Sequence, residues 1–213
     1  MKKEIGVNVD SVFLKGNLAI PKVASGIVLF AHGSGSGRFS PRNIFVAEEL
    51  EKAGIATLLI DLLTEREDEV YETRFNIGLL TERLTSVAKW LTNNPGTKNL
   101  RLGLFGASTG AAAALCAAAK EPSVCAVVSR GGRPDLAMGY LAKVKAPTLL
   151  IVGGEDYGVI ELNEKAFAEL RSEKELKIIP GATHLFEESG ALEEVAKLAS
   201  TWFQKHLAAP KRH

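Results

Sequence analysis

Five short apolar runs, separated by segments of helical periodicity, constrain the fold of this chain more than any other feature. In chain order, the runs are residues 26–31, 55–60, 100–105, 124–129 and 148–152. Each is mostly apolar along its length and is bounded by glycine, proline or charged residues. Such runs are typical of strands buried on both faces. They predict the centre of a parallel β-sheet.

The segments around these runs carry apolar residues at helical spacing. They are residues 44–53, 75–91, 108–120, 162–170 and 192–207. Strands that alternate with helices of this size predict βαβ units in a doubly wound sheet with helices on both faces. Ser40 and Pro41 predict the start of the first helix as N-cap and N1, and Asn94-Pro95-Gly96 predicts the end of the second.

The remaining strands lie towards the two ends of the chain. Residues 4–10 and 12–20 alternate polar and apolar side chains and are too close together for a crossover helix, so they predict an antiparallel ribbon at the sheet edge. A late run at 176–179 brings the total to about eight strands. No polar linker interrupts the chain, and the link 130–146 is short for a cap domain. We therefore expect one capless α/β domain over residues 1–213.

Composition and charge exclude several classes of function. The formal net charge is +1 and no basic cluster with interleaved aromatics occurs, so nucleic acid is not an expected partner. No apolar run reaches the roughly 20 residues of a membrane span, and residues 1–10 lack a signal-peptide core, so a cytoplasmic protein is expected. Cys116 and Cys125 lack metal-site spacing and are interpreted as buried free thiols, while Lys211-Arg212 is interpreted as a solvated end.

The strongest local signal for chemistry is the sequence LGLFGASTG at residues 102–110. A buried strand runs into Gly106-Ala107-Ser108-Thr109-Gly110 and then directly into an alanine-rich helix. The G-x-S-x-G pattern between strand and helix predicts a nucleophile elbow, in which a sharp turn exposes the serine hydroxyl. Ser108 is therefore the candidate nucleophile. The N–H of Thr109, at the helix N-terminus, is a candidate donor to a developing oxyanion.

A second glycine-rich loop, HGSGSG at residues 32–37, follows the first buried strand. Glycines there let the backbone approach a substrate closely, and the position suits a second oxyanion donor. We assign that role to the N–H of Ser34, with an ordinary flexible loop as the alternative.

The partners of Ser108 are expected later in the chain, with the acid before the base. Gly153-Gly154-Glu155-Asp156 follows one late strand and Gly181-Ala182-Thr183-His184 follows the next, both at the edge where Ser108 emerges. His184 would accept the Ser108 proton and Asp156 would orient its ring. Glu155 and Asp135 remain alternatives for the acid. The other histidines are assigned to loop packing (His32), the last helix (His206) and the tail (His213).

Candidate substrate contacts are arginines on the same edge. Arg38 lies beyond the glycine loop, and Arg130 and Arg133 follow the fourth buried run. Their guanidiniums would suit a carboxylate or phosphate on the substrate, whereas salt bridges to loop acids are the alternative. Tyr157 is a candidate pocket wall. The acidic stretch 61–73 is interpreted as a small flap, and an open, modest pocket suits small soluble esters.

The motifs HGSGSG, GASTG, GGED and GATH together resemble the dienelactone-hydrolase-like branch of the α/β-hydrolases over nearly the whole chain. FNIGLLTERL and SRGGRPDL are also similar to proteins of this branch. The resemblance implies the α/β-hydrolase fold without a cap domain. Dienelactone hydrolase uses a cysteine nucleophile, whereas this elbow carries Ser108, so ester hydrolysis by serine is the natural inference.

The sequence thus predicts a serine hydrolase that acts on small esters, lactones or thioesters through an acyl-enzyme. No organic cofactor or metal is required by this chemistry. Two alternatives remain: an acyltransferase or perhydrolase with the same triad, and a ligand-binding member of the fold without turnover. The expected partner is a small ester or lactone, with an anionic group if the arginines bind it, and the protein is expected to be a monomer or homodimer.

Overall fold

The computed structural model describes residues 1–208, in which the strands form a single eight-stranded sheet. The strands are β1 (Lys2–Val9), β2 (Val12–Ala19), β3 (Gly26–Ala31), β4 (Ala56–Ile60), β5 (Arg101–Ala107), β6 (Val124–Arg130), β7 (Thr148–Gly153) and β8 (Lys174–Ile179). Their order is β1-β2-β4-β3-β5-β6-β7-β8. β2 pairs antiparallel with β1 and β4, and every pairing from β4 through β3 to β8 is parallel. The predicted mostly parallel sheet with an antiparallel N-terminal ribbon is confirmed.

The strand order contains a point at which the chain reverses its direction of travel across the sheet. β3 has β4 on one side and β5 on the other, so the connections that follow β3 and β5 leave the sheet in opposite directions. In open α/β sheets such a switch point opens a crevice at the carboxyl ends of the strands, where ligands bind. Both the glycine loop and the predicted elbow begin at this crevice.

Residues 1–208 contain seven helices, five of which cover the two faces of the sheet. The seven are α1 (Pro41–Lys52), α2 (Glu65–Asp68), α3 (Ile77–Asn93), α4 (Thr109–Lys120), α5 (Met138–Leu141), α6 (Tyr157–Glu169) and α7 (Ala191–Leu207). One face packs against α1 and α7 through a buried cluster centred on Phe30, Phe105 and Phe203. The other packs against α3, α4 and α6. The doubly wound prediction is confirmed.

Helix α4 lies deep in the second layer because its side chains are small. Every residue from Thr109 to Ala118 is buried, and six of those ten are alanine. Alanine lets a helix approach the sheet and a neighbouring helix closely, and it has the highest helix propensity. The small side chains therefore let α4 pack closely against the sheet, directly after the turn that begins it.

The sequence analysis did not predict the short helical segments. They are α2, α5 and two 3₁₀ turns at Tyr71–Phe75 and Pro134–Ala137. Four or five residues cannot display a helical period. A local signal does mark α2, because Thr64 caps the N–H of Glu67 while the Glu67 carboxylate accepts from the Thr64 N–H. The acidic flap is thus a folded segment, and the link between β6 and β7 holds only the short 3₁₀ turn and α5.

Within residues 1–208, none of the helices combines the length and the apolar character needed to cross a membrane. His213, Lys211 and Arg212, and the end of the predicted domain, lie outside the described residues.

Candidate active site

The predicted elbow is formed between β5 and α4 with Ser108 at its apex. Ser108 has φ 50° and ψ −120°, a backbone conformation that L residues rarely adopt. Glycine is required on both sides of the turn because neighbouring backbone atoms approach Gly106 and Gly110 too closely for a side chain. A Cβ on Gly106 would overlap the backbone of Ala111, and one on Gly110 would overlap the carbonyl oxygens of Ala31 and His32.

Hydrogen bonds to the backbone N–H and to the carbonyl of Ser108 hold this conformation. The N–H of Ser108 donates to the carbonyl of Arg130 at 3.2 Å, and its own carbonyl accepts from the N–H groups of Ala111 and Arg133, each at 3.1 Å. A residue in such a region of φ/ψ space costs about 1–3 kcal/mol and persists only when its surroundings determine it. The fold therefore maintains a strained serine at the switch point.

Asp156 and His184 are brought together by the loops that follow β7 and β8. The Nδ1 atom of His184 lies 2.6 Å from a carboxylate oxygen of Asp156. Asp156 is the N-cap of α6, yet its side chain makes no capping bond and turns to the imidazole instead. The His184 side chain is 38% exposed and that of Asp156 is 16% exposed. With Nδ1–H donating to the carboxylate, Nε2 is left as a proton acceptor.

The elbow and the His184 loop meet around Gly131. Arg130, whose carbonyl accepts from Ser108, is followed by Gly131, and a Cβ built on Gly131 would lie 3.5 Å from Cε1 of His184. The predicted nucleophile, base and acid therefore lie at the carboxyl ends of β5, β8 and β7, on one edge of the sheet. This arrangement can support nucleophilic acyl transfer.

The alternative acids have other partners. The carboxylate of Glu155 accepts a short hydrogen bond from the hydroxyl of Tyr157. Asp135 binds Arg133 through two hydrogen bonds of 2.9 and 2.8 Å. Neither carboxylate binds the His184 ring, whereas Asp156 does, so Asp156 remains the predicted acid.

His32 has a different environment from His184. Its Nδ1 lies 3.0 Å from the carbonyl of Gly33, and its Nε2 accepts from the N–H of Leu62 at 3.0 Å. Only one tautomer satisfies both contacts, with the proton on Nδ1. Burial lowers the pKa of His32. The ring is thus a neutral connection between the glycine loop and the residue that follows β4 by two positions.

The proposed oxyanion donors, Ser34 and Thr109, are in direct contact. The N–H of Ser34 donates to Oγ1 of Thr109 at 3.0 Å. Thr109 is the first residue of α4, where an N–H has no partner within its helix. The hydroxyl of Thr109 was not singled out from the sequence, although its place in G-x-S-x-G was a usable signal. It fixes the glycine loop to the elbow.

The candidate substrate contacts differ in how they are engaged. Arg38 is buried and lies 3.2 Å from Glu4 and 3.6 Å from Asp61, which is the salt-bridge alternative. Arg133 is bound by Asp135 in the same way. Tyr157 is 67% exposed and binds Glu155.

Arg130 has no such acid. The only hydrogen bond of its side chain within residues 1–208 is a long one, 3.5 Å, from Nη2 to the amide oxygen of Asn43. The structure therefore separates Arg130 from the other two arginines, which make salt bridges to loop acids.

A cavity of about 260 Å³ lies beside the glycine loop, between it and the acidic flap. Among its lining residues are Ser36, Phe39 and Leu63. Arg74, from the 3₁₀ turn of the flap, donates from Nε to the carbonyl of Asp68 at 2.6 Å and lies next to Gly35. Within residues 1–208, no three His, Cys, Asp or Glu side chains cluster as a metal site would require.

Comparison with known proteins places these features in a family. Residues 14–209 match the model of the dienelactone hydrolase family. The chain is 55% identical over 209 residues to proteins from two strains of Mycobacterium tuberculosis that are provisionally named phosphoribosyl transferases. That match covers 98% of this chain and 47% of each relative, so the chain spans about half the length of those relatives.

Two solved structures illustrate the likeness in three dimensions. A dienelactone hydrolase from Anabaena variabilis is 60% identical, with a TM-score of 0.95 over 97% of this chain and 98% of that one. The protein Est1E from Butyrivibrio proteoclasticus is 16% identical, with a TM-score of 0.82 over 96% and 98% of the two chains, a likeness of fold. Together with the family match, the fold and the placement of the elbow show that this chain belongs to the dienelactone hydrolase family of α/β-hydrolases.

Proposed function

We propose that this protein is a serine hydrolase that cleaves small carboxylic esters, lactones or thioesters through an acyl-enzyme. The observation that carries the proposal is the 2.6 Å contact between His184 and Asp156 at the sheet edge where strained Ser108 emerges. A base oriented by a partly buried carboxylate, on the same sheet edge as a serine hydroxyl, is the arrangement of nucleophilic acyl transfer.

In the first step, Nε2 of His184 accepts the proton of Ser108 as Oγ bonds to the carbonyl carbon. The carbonyl π electrons move to oxygen, and the N–H groups of Thr109 and Ser34 stabilise that negative charge. For Ser34, this means exchanging the Thr109 hydroxyl for the substrate oxygen. The imidazolium, stabilised by Asp156, then protonates the leaving alcohol, thiol or lactone oxygen as its bond to carbon breaks.

The second step repeats the sequence with water. His184 accepts a proton from water, the hydroxide oxygen bonds to the acyl carbon, and Ser108 leaves with a proton from the imidazolium. An acyltransferase or perhydrolase would use an alcohol or peroxide in place of water. Product analysis with competing alcohols or hydrogen peroxide separates these activities, and we expect the free acid as the main product.

The name of the Mycobacterium tuberculosis relatives suggests a different reaction class for this chain. Because the dienelactone hydrolase model already accounts for residues 14–209, we assign phosphoribosyl transfer in those relatives to the half that this chain does not match. An assay with a phosphoribosyl diphosphate donor and nucleobases is expected to give no product with this chain. Product formation that survives Ser108→Ala would contradict the assignment.

The decisive experiment is the Ser108→Ala variant, assayed on p-nitrophenyl acetate and with a fluorophosphonate probe. We expect a fall in kcat/KM of about 10⁴-fold or more and loss of labelling, since no other group supplies the nucleophile. Ser200→Ala, on α7 away from the site, is the matched control and should retain both signals. Full esterase activity in Ser108→Ala would remove the proposal.

A further inference from the structure

Asn163 is a fully buried amide on α6, the helix that begins directly after Asp156. Its relative exposure is 0%. Its Nδ2 donates to the carbonyl of Val159 in the same helix at 2.8 Å and to the carbonyl of Gly132 at 3.1 Å. Because Gly132 lies 31 residues earlier in the chain, after β6, this second bond joins α6 to a distant part of the fold.

The amide of Asn163 is only partly satisfied by the protein. Its Oδ1 has no hydrogen-bond partner within residues 1–208. A buried polar atom without a partner destabilises the folded state, and such an atom in a native structure needs an explanation. The side chain supplies a donor to the Gly132 carbonyl while its own oxygen is unpaired, so we expect little net stabilisation from the residue. What the contact does determine is the position of the chain at Gly132.

The Gly132 carbonyl belongs to a short stretch, residues 130–133, which we call the 130–133 segment. This segment binds both backbone groups of the candidate nucleophile. The N–H of Ser108 donates to the carbonyl of Arg130 at 3.2 Å, and the N–H of Arg133 donates to the carbonyl of Ser108 at 3.1 Å. The conformation of the elbow therefore depends on where this segment lies.

The 130–133 segment also packs against the base and against α4. A Cβ on Gly131 would lie 3.2 Å from the carbonyl oxygen of His184 and 3.5 Å from its Cε1. A Cβ on Gly132 would lie 2.7 Å from Cβ of Ala111 and would overlap Oγ of Ser129. Since the segment lies between the elbow and the His184 loop, its displacement would change the alignment of nucleophile and base.

Helix α6 connects this segment to the acid of the candidate site. Asp156 is the N-cap of α6, and Asn163 follows it by about two turns of the same helix. The carboxylate of Asp156 binds the His184 ring at 2.6 Å, and the amide of Asn163 binds the 130–133 segment. One helix thus contacts both the base and the segment that holds the nucleophile.

We propose that Asn163 is a positioning residue of the proposed reaction. By donating to the Gly132 carbonyl, it fixes the 130–133 segment relative to α6, and with it the alignment of Ser108 and His184. The inference rests on the proposed function and adds a buried residue that does not touch the substrate. Loss of the amide is therefore expected to slow the chemical steps and to leave substrate binding intact.

The test is the Asn163→Leu variant, because leucine has a similar branched shape and no amide. On p-nitrophenyl acetate, we expect kcat to fall by about 10- to 100-fold and KM to change by no more than about threefold, since small misalignments of reacting groups have effects of this size. Labelling by a fluorophosphonate probe should slow in parallel, because it reports the attack by Ser108 alone. An unchanged kcat in the folded variant, or a loss confined to KM, overturns the proposal.

Thr148→Val is the matched control for the loss of a buried hydrogen bond. Thr148 is 0% exposed at the start of β7, and its hydroxyl donates to the carbonyl of Ala146 at 3.0 Å. Valine has the same shape without the donor, so we expect Tm to fall by about 2–4 °C. The kcat should be unchanged, because this end of the strand is opposite to the candidate site. A loss of kcat equal to that of Asn163→Leu would mean that stability alone is responsible and would refute the proposal.

If Asn163→Leu does not fold, Asn163→Thr removes the same contact. A threonine hydroxyl within a helix can donate to the carbonyl four residues earlier, as that of Thr81 does to Ile77 at 2.6 Å. The substitution would therefore keep the bond to Val159 and lose the one to Gly132. We expect the same fall in kcat, and a wild-type kcat in this variant overturns the proposal.

A second measurement does not depend on catalysis. The amide hydrogen of Arg133, which donates to Ser108, should exchange about 10-fold faster in Asn163→Leu than in the wild type, because loss of the anchor makes local opening easier. In Thr148→Val its exchange should be unchanged. Equal exchange in the wild type and Asn163→Leu contradicts the proposal. Absence of ester hydrolysis in the wild type would instead reject the proposed function, and the exchange of Arg133 would still show whether Asn163 holds the segment.

Discussion

The loops that follow β3 and β8 each place a histidine at the same edge of the sheet, and the two histidines are used in opposite ways. His32 is 6% exposed, and both ring nitrogens bind backbone groups. His184 is half-buried and has one ring nitrogen on Asp156, whereas the other makes no hydrogen bond within residues 1–208. The comparison teaches that position at an active edge does not identify a base. A better indication of a base is a ring nitrogen that has no hydrogen-bond partner in the protein.

The largest expected difference between these loops is in catalysis. His184→Ala should lower kcat/KM on p-nitrophenyl acetate by about 10⁴-fold, because Ser108 loses its proton acceptor. Its Tm should change little, since the ring is half-exposed and its hydrogen bond is to a single carboxylate. His32→Gln should retain most of the activity. If the two variants lost activity equally, the distinction between the loops would be wrong.

A smaller effect is expected from the carboxylate that orients His184. Asp156→Asn should reduce kcat/KM by about 10²- to 10⁴-fold, because the amide cannot stabilise the imidazolium and disfavours the required tautomer. Asp135→Asn provides a matched control, since that carboxylate binds Arg133. Comparable losses in the two variants would return Asp135 to consideration as the acid.

The smallest effect is on the pH dependence of stability and belongs to His32. Burial lowers its pKa below the ordinary 6.5, so it stays neutral in the folded protein while the unfolded chain binds a proton. The free energy of unfolding therefore falls as the pH drops below about 6.5, with a slope of up to about 1.4 kcal/mol per pH unit from this residue. Urea unfolding between about pH 7 and pH 5 should show a steeper decline in the wild type than in His32→Gln.

His206, whose pKa is also lowered by burial, is present in both proteins and cancels in that difference. Parallel pH profiles for the two proteins would mean that His32 is not the residue responsible.

Much of the fold could be predicted from the sequence because its signals are local. β3 was predicted residue for residue, and the start of α4 to within one residue. A continuous apolar run and an alanine-rich segment are both recognisable from the local sequence. β8 was predicted two residues short because it begins with Lys174 and Glu175, charged residues allowed on an edge strand. The elbow was visible because two glycines and a serine at fixed spacing describe one turn.

Contacts between distant segments could not be predicted in the same way. Glu4 reaches Arg38 from β1, and Asn43 reaches Arg130 across 87 residues, through the register and twist of the sheet. Which side of β6 Arg130 faces depends on the pleat, so an arginine in a salt bridge and one without an acid look alike in sequence. The contact of Ser34 with Thr109 also depends on how two loops converge at the switch point.

That contact has a consequence for selectivity between ground state and transition state. Under the proposed mechanism, an arriving carbonyl oxygen displaces a hydroxyl that already occupies the Ser34 N–H, and one neutral acceptor replaces another of similar strength. The exchange becomes favourable only as the oxygen gains negative charge, because charged acceptors form stronger hydrogen bonds. Under this mechanism, the Thr109 hydroxyl competes with the substrate for the Ser34 N–H. The carbonyl oxygen of an unreacted ester does not displace the hydroxyl, whereas the oxyanion of the tetrahedral intermediate does. The N–H therefore stabilises the transition state more than the bound substrate.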